Sequence, residues 1–237
     1  MRKTLAKKRF IVYNTLRMIN EQSLEKIRED IERYKTADKV TIVAASKTVS
    51  SQTISDALRL GITDFGENRA NELVCKYAEV PPPVRWHFIG RLQTNKVRLV
   101  IDKVALIHSL DSERLLRETD RQARLHDIVM PVLVEVNMGK EPDKGGVFPE
   151  YAEKLCALCA QFGGVELKGL MCVFPKGARE SLYAEAEALF RRLKAVFKLT
   201  ELSMGMSGDY VTALKHGATM IRPGTALFGE RAAGGER

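Results

Sequence analysis

Lys47 closes the run Val40-Thr-Ile-Val-Ala-Ala-Ser. A lysine at the mouth of a strand of small residues can be desolvated enough for its amine to act as a nucleophile and form a Schiff base. The same position also suits a lysine that snorkels to solvent, and the run by itself weighs the two evenly. Two glycine-containing segments far along the chain add a second kind of chemistry. Met204-Gly-Met-Ser-Gly-Asp-Tyr210 precedes a helical pattern, so backbone N–H groups near Met206, Ser207 and Gly208 are expected to face an anion, with Asp209 as the helix N-cap. In Arg222-Pro-Gly-Thr-Ala226, Gly224 allows close backbone approach and Thr225 offers a hydroxyl. An amine and an anion cup on one rim suit a phosphorylated aldehyde. Pyridoxal 5′-phosphate fits, and so does the substrate of a sugar-phosphate aldolase. Arg222 favours the first: facing a pyridine nitrogen, a guanidinium has no acceptor to offer and leaves that nitrogen unprotonated, which weakens the ring as an electron sink.

These residues need a scaffold that brings distant segments to one rim, and the pattern supplies it. Strand-like runs at 40–47, 63–68, 85–90, 104–111, 130–137, 167–172, 201–206 and 220–223 alternate with amphipathic stretches starting near Gln52, Ala70, Thr94, Ser112, Phe148, Arg179 and Asp209. Eight such units, with strands apolar enough to be covered on both faces, predict an α/β fold: a single (β/α)8 TIM barrel with its site at the C-terminal ends of the strands. An open doubly wound sheet is the competitor, but Ser46-Lys-Thr-Val49 stands where a Gly-rich first turn would be. On the barrel reading Asn68, after the second strand, and His87, in the third beside Trp86, share the rim of Lys47. Taken singly, Asn68 suits a turn and His87 a satisfied core histidine. A helix over about 4–35 precedes the barrel. The expected organisation is a helical segment at 1–35 packed on a barrel at 36–230, then a disordered tail at 231–237.

The net charge of +8 over 237 residues suggests nucleic acid until it is apportioned. Residues 1–20 hold six basic side chains and no acid, leaving +2 for the rest, and no finger, RNP-like motif or basic heptad accompanies them. Nucleic acid is therefore not expected as a partner. No stretch reaches the roughly 18 apolar residues of a membrane span, and the N-terminus lacks a secretory h-region. The expectation is a cytoplasmic protein, with an organelle as the alternative that the acid-free, Arg-containing start leaves open. Cys156 and Cys159 form a C-x-x-C pair without a second pair or a nearby His, so buried thiols are expected and no metal.

At these same residues the sequence resembles the pyridoxal phosphate homeostasis protein family, whose members are single barrels similar to the N-terminal domain of bacterial alanine racemase. The resemblance rests on Ala45-Ser-Lys47, Phe65-Gly-Glu-Asn68, Trp86-His-Phe-Ile-Gly90 with Leu92-Gln-Thr-Asn-Lys96, Val136-Asn137 with Lys144-Gly145, Gly169-Leu-Met171, Ser203-Met-Gly-Met-Ser-Gly-Asp209 and Arg222-Pro-Gly-Thr-Ala-Leu-Phe-Gly229. It implies that Lys47 carries pyridoxal 5′-phosphate as a Schiff base and that Ser207, Gly224 and Thr225 hold the phosphate. It further implies that Arg222 contacts the pyridine nitrogen, that Asn68 lies near the ring hydroxyl and that His87 lines the pocket. Pro223 departs from the aliphatic residue expected there, fixing φ and removing an N–H.

Alanine racemase takes its second base from a tyrosine on a β-rich domain of the partner subunit. The sequence here runs out after the eighth strand, and its one rim tyrosine, Tyr210, is expected to begin a helix. The resemblance thus implies a carrier or regulator of the cofactor, a monomer, without efficient turnover, with cofactor-dependent apoenzymes as candidate recipients. A weak amino-acid racemase is the alternative, and a Schiff-base aldolase a third reading.

Overall fold

The computed structural model describes residues 18–230. Strands β1 (Thr41–Ala45), β2 (Asp64–Glu67), β3 (Arg85–Phe88), β4 (Leu106–Leu110), β5 (Met130–Asn137), β6 (Val165–Val173), β7 (Glu201–Ser203) and β8 (Met220–Ile221) close into one parallel barrel in sequence order, β1 pairing with β8. Between and around them lie α1 (Glu21–Tyr34), α2 (Ser51–Arg59), α3 (Ala70–Glu79), α4 (Val97–Val100), α5 (Glu113–Leu125), α6 (Pro149–Cys159), α7 (Glu180–Phe197), α8 (Tyr210–Lys215) and α9 (Thr225–Phe228), with a 3-10 turn at Thr94–Lys96. This is the (β/α)8 barrel that the alternation predicts.

Local chemistry sets the helix starts. Ser50 accepts from the Thr53 N–H and Ser112 from the Leu115 N–H, while α6 opens with Pro149, whose missing N–H costs nothing in a first turn. The expected first helix is shorter than its periodicity suggests. Met18 to Asn20 are not helical, and the Asn20 side chain accepts from the Ser23 N–H at 2.9 Å, which caps α1 and fixes its start. The portion expected over 4–17, and the tail at 231–237, lie outside the described residues. Helix α1 buries Leu24, Ile27 and Ile31, and it is tied to the barrel by Asn20 N–H to the Leu227 carbonyl (2.8 Å) and by Tyr210 Oη to Asp30 Oδ2 (2.6 Å).

Two apolar layers follow from strand alternation. The larger lies between sheet and helices and includes Phe65, Trp86, Ile107, Val134, Leu170 and Leu202. The smaller fills the barrel: Val43, Leu106, Leu133, Met171 and Met220, with Ile89 and Val173 against them. Inward positions next to this layer carry the polar residues discussed below. In β6 the inward face is set by a register shift opposite Val132 and Leu133. Gly169 follows it, where a Cβ would stand 1.7 Å from the Glu201 carbonyl oxygen, so β7 can pair only because that residue is glycine. Cys156, Cys159 and Cys172 are buried, and burial pushes each thiol up to about 12. Among the described residues no helix is long and apolar enough to cross a membrane.

Candidate functional site

β1 ends at Ala45, so Lys47 sits in the turn beyond it rather than in the strand. That turn is clamped from outside the barrel. The Ser46 N–H donates to the Gly66 carbonyl (3.0 Å), and Ser46 Oγ donates to Glu67 Oε1 (2.6 Å). Lys76 Nζ on α3 reaches the Ser46 carbonyl, Glu67 Oε1 and Glu72 Oε1, each at 2.7 Å, and Glu72 Oε1 also accepts the Thr48 N–H at 2.6 Å. Thr48 adopts φ +65°, a conformation costly for a β-branched residue and retained here under that clamp. Glu67 is 0% exposed, and burial raises its pKa in spite of Lys76 beside it.

The turns after β7 and β8 meet each other and then meet β1. Ser207 Oγ accepts from the backbone N–H of Gly224 and of Ala226, both at 3.0 Å. The Arg222 N–H donates to the Gly205 carbonyl (2.7 Å), and the Ala45 N–H to the Pro223 carbonyl (2.9 Å). A Cβ on Gly224 would lie 3.3 Å from that of Ala45, two residues before Lys47. Pro223 keeps the contact its position makes with β1, because that contact is to its carbonyl and not to the N–H it lacks. The expected N-cap is not made. Asp209 precedes α8, but its carboxylate accepts the Met206 N–H (2.5 Å) and the Tyr183 hydroxyl (2.5 Å), bracing the turn instead of the helix. Met206 and Gly208 are exposed on that turn, and Thr225 is exposed as the first residue of α9, a helix the sequence pattern did not announce.

Arg222 is 7% exposed and projects into the barrel; its Nη1 donates to Ser203 Oγ (2.8 Å) and its Nη2 to the Cys172 carbonyl (3.2 Å). Both acceptors are neutral, so hydrogen bonding fixes the guanidinium without neutralising it. Asn68 follows β2, held by Gly90, where a Cβ would come within 2.6 Å of the Asn68 backbone, and its buried Oδ1 has no hydrogen-bond partner. A cavity of about 480 Å³ opens beside it, lined by Arg69, Phe88, Arg91, Gln93 and Lys96 among others. A larger surface hollow, about 760 Å³, lies along α5 and contains none of the expected site residues.

His87 does not share the rim. It is 0% exposed, level with Gly66 in the barrel wall, and both ring nitrogens are engaged, Nε2 with Asp64 Oδ1 (2.9 Å) and Nδ1 with His108 Nε2 (2.8 Å). Alternation explains the correction: Ile89, two residues further along, holds the higher inward position.

Several neighbours escaped the sequence reading. Glu135, inward on β5 two residues beyond Leu133, is 7% exposed; its Oε2 has no partner, and burial with Asp111 nearby pushes its carboxyl up to about 7 against the pull of Arg222 and Arg91. The loop after β5 folds over it: the Val147 N–H donates to the Glu135 carbonyl (2.9 Å), and a Cβ on Gly145 would lie 3.0 Å from Glu135 Oε1. Lys144 in that loop pairs with Glu141 and donates to the Phe174 carbonyl. A lone acid or histidine at an inward position of an apolar strand was the available signal for Glu135 and His108; for Lys76 it was a lysine three residues after Leu73 on the buried face of α3.

The barrel, with a lysine beyond β1 and paired turns after β7 and β8, matches the family model for the alanine racemase N-terminal domain over residues 22–232. The pyridoxal phosphate homeostasis protein of Aquifex aeolicus is 39% identical over 219 residues, covering 88% of this chain and 95% of that protein. PipY of Synechococcus elongatus superposes with TM-scores of 0.80 without pyridoxal phosphate and 0.78 with it bound, at 34% and 33% identity, covering 88% of this chain and 99% of PipY. The class is thus the alanine-racemase-type barrel. Within it, this chain belongs to the pyridoxal phosphate homeostasis protein family.

Proposed function

We propose that the protein binds pyridoxal 5′-phosphate at the barrel mouth and serves intracellular homeostasis of that cofactor, with Lys47 as the point of covalent attachment. The observation that carries this is convergence. Two backbone N–H groups, of Gly224 and Ala226, converge on Ser207 Oγ, the turn that holds them is bonded to β1, and a buried guanidinium whose hydrogen-bond acceptors are both neutral stands just beyond β8. The residues fit the cofactor: Ser207, whose Oγ accepts both amides and keeps its own hydrogen to give, suits a phosphate oxygen, Arg222 suits a ring nitrogen left without a proton, and the unpartnered Asn68 Oδ1 suits a ring hydroxyl. When bound, the cofactor supplies an aldehyde for amines and a ring able to delocalise negative charge.

The chain's own residues favour carriage over turnover. Tyr210, the rim tyrosine in sequence, begins α8 and donates its hydroxyl to Asp30 on α1, so it is committed to packing and supplies no base to the mouth. Arg222 disfavours charge build-up on the ring. Cytoplasmic location, a monomeric state and delivery to cofactor-dependent apoenzymes belong to the same proposal; size-exclusion chromatography and a transfer assay with a defined apoenzyme test the last two. The direct test of binding is uptake: the purified protein is expected to be yellow, and Lys47→Ala to lose the borohydride-fixable adduct while keeping phosphate-dependent binding. A colourless protein that takes up no cofactor would refute the proposal.

A further inference from the structure

Below Arg222 a file of polar side chains crosses the apolar barrel interior from β8 to β2. Arg222 Nη1 lies 2.8 Å from Ser203 Oγ, Ser203 Oγ 3.0 Å from His108 Nδ1, His108 Nε2 2.8 Å from His87 Nδ1, and His87 Nε2 2.9 Å from Asp64 Oδ1. Asp64 Oδ2 accepts from Thr63 Oγ1 (2.7 Å), and Arg85 lies 3.5 Å from Asp64 Oδ1. Both histidines and Ser203 are fully buried, beside Leu106, Met171 and Met220. Buried polar groups of this kind are costly unless paired, and apolar side chains would fill a barrel interior with less at stake.

The proton positions along the file follow from its first member. A guanidinium only donates, so Ser203 Oγ accepts from Arg222 and its own hydrogen is free to go to His108 Nδ1. His108 then carries its hydrogen on Nε2 and donates to His87 Nδ1, and His87 donates from Nε2 to Asp64. Every link is satisfied with both rings neutral, and every donation runs the same way, from the cation to the carboxylate. The opposite order at His108 would require either an imidazolium at His87 or a protonated Asp64. Burial, with His87 and Arg222 nearby, holds His108 well below the usual imidazole range. Burial raises Asp64, but the His87 and Thr63 hydrogen bonds outweigh it and leave the carboxyl below its usual range. Both directions agree with the neutral file.

We propose that His108, His87 and Asp64 are positioning residues for Arg222: a one-way file of hydrogen bonds that holds Ser203 as an acceptor and so presents the guanidinium to the cofactor's pyridine nitrogen as a fixed donor. This rests on the cofactor-binding reading above, and the test separates the two. In the cofactor-free full chain, 15N-edited NMR of the histidine rings at pH 7 is expected to show His87 and His108 each protonated on Nε2 and bare on Nδ1; an Nδ1–H tautomer or an imidazolium at either ring overturns the file.

In the loaded protein, His108→Leu removes the acceptor for Ser203 and is expected to weaken cofactor binding about tenfold, the scale of one hydrogen bond to a charged group, and to shift the visible absorption band. His108→Asn, which can place an oxygen near the former Nδ1, is expected to restore most of both. A purely structural role would track thermal stability instead, so equal band and affinity in His108→Leu and wild type overturn the proposal. Should His108→Leu not fold, Asp64→Ala, which removes the acceptor at the far end of the file, is read by the same band: a shift supports the file, and an unchanged band overturns it. A wild type that never loads refutes the binding reading, while the tautomers still judge the file.

Discussion

Lys76 Nζ donates to the carbonyl oxygen of Ser46 at 2.7 Å, one residue before Lys47, from a side chain buried between β2 and α3. The lysine expected to do chemistry thus depends on a second lysine that does none. Glu67, fully buried, has Lys76 as its cation.

Removing that cation is expected to be severe. Lys76→Met leaves Glu67 uncompensated and should cost about 3–5 kcal/mol, as for other broken buried pairs. Adding Glu67→Gln should restore part of the loss, because the stranded charge goes with it. Denaturant unfolding of both variants measures the difference; a single variant as stable as wild type would show that the clamp carries no load.

Ser207→Ala removes the oxygen on which the Gly224 and Ala226 amides converge. The expected result is about tenfold weaker binding of pyridoxal 5′-phosphate, from one lost hydrogen-bonding group at an anion. Binding of unphosphorylated pyridoxal should be nearly unchanged. Spectrophotometric titration with both compounds reads this, and equal weakening of both would mean that the turn does not hold the phosphate.

Glu135 carries a pH dependence whose sign is fixed. Its folded-state value, about 7, lies above the ordinary 4.5, so the folded protein binds the extra proton and this group's contribution to stability falls as pH rises from about 4.5 to 7. At about 1.4 kcal/mol per pH unit the loss is at most roughly 3.5 kcal/mol. Glu135→Gln should flatten that part of the stability profile and be the more stable protein at pH 8. Unfolding curves from pH 4.5 to 8 check it; parallel profiles for the two proteins would contradict it.

Tyr210→Phe removes the donor to Asp30 and should cost about 1.5–3 kcal/mol, the scale of a hydrogen bond to a charged group. Cofactor affinity and colour should not change, because the hydroxyl faces α1 rather than the mouth. Loss of a measurable racemase activity in this variant would reopen Tyr210 as a base.

The barrel was legible because alternation and apolar periodicity are local signals: Ile42 to Ala45 read as a strand and Leu182 to Phe197 as a helix without any tertiary information. The places of Lys47, Ser207 and Arg222 just beyond strand ends were legible because the apolar runs show where β1, β7 and β8 stop. The misses share one cause. Asp209 had the right residue type and place for an N-cap, but the Met206 N–H and the Tyr183 hydroxyl took its carboxylate. Asn20, an ordinary residue within a periodic stretch, ended the pattern from the N-terminal side. His87 lies a layer below the rim, a depth that a four-residue strand hardly reveals in sequence. His108, Ser203 and Glu135 acquire meaning only when β4, β5, β7 and β8 face one another across the interior.

The most direct measurement is borohydride reduction of the cofactor-loaded protein followed by peptide mass mapping. A single reduced pyridoxyl phosphate adduct on Lys47, absent from Lys47→Ala, is the expected result. An adduct confined to another lysine, or no adduct on a protein that binds the cofactor, would contradict the assignment of Lys47.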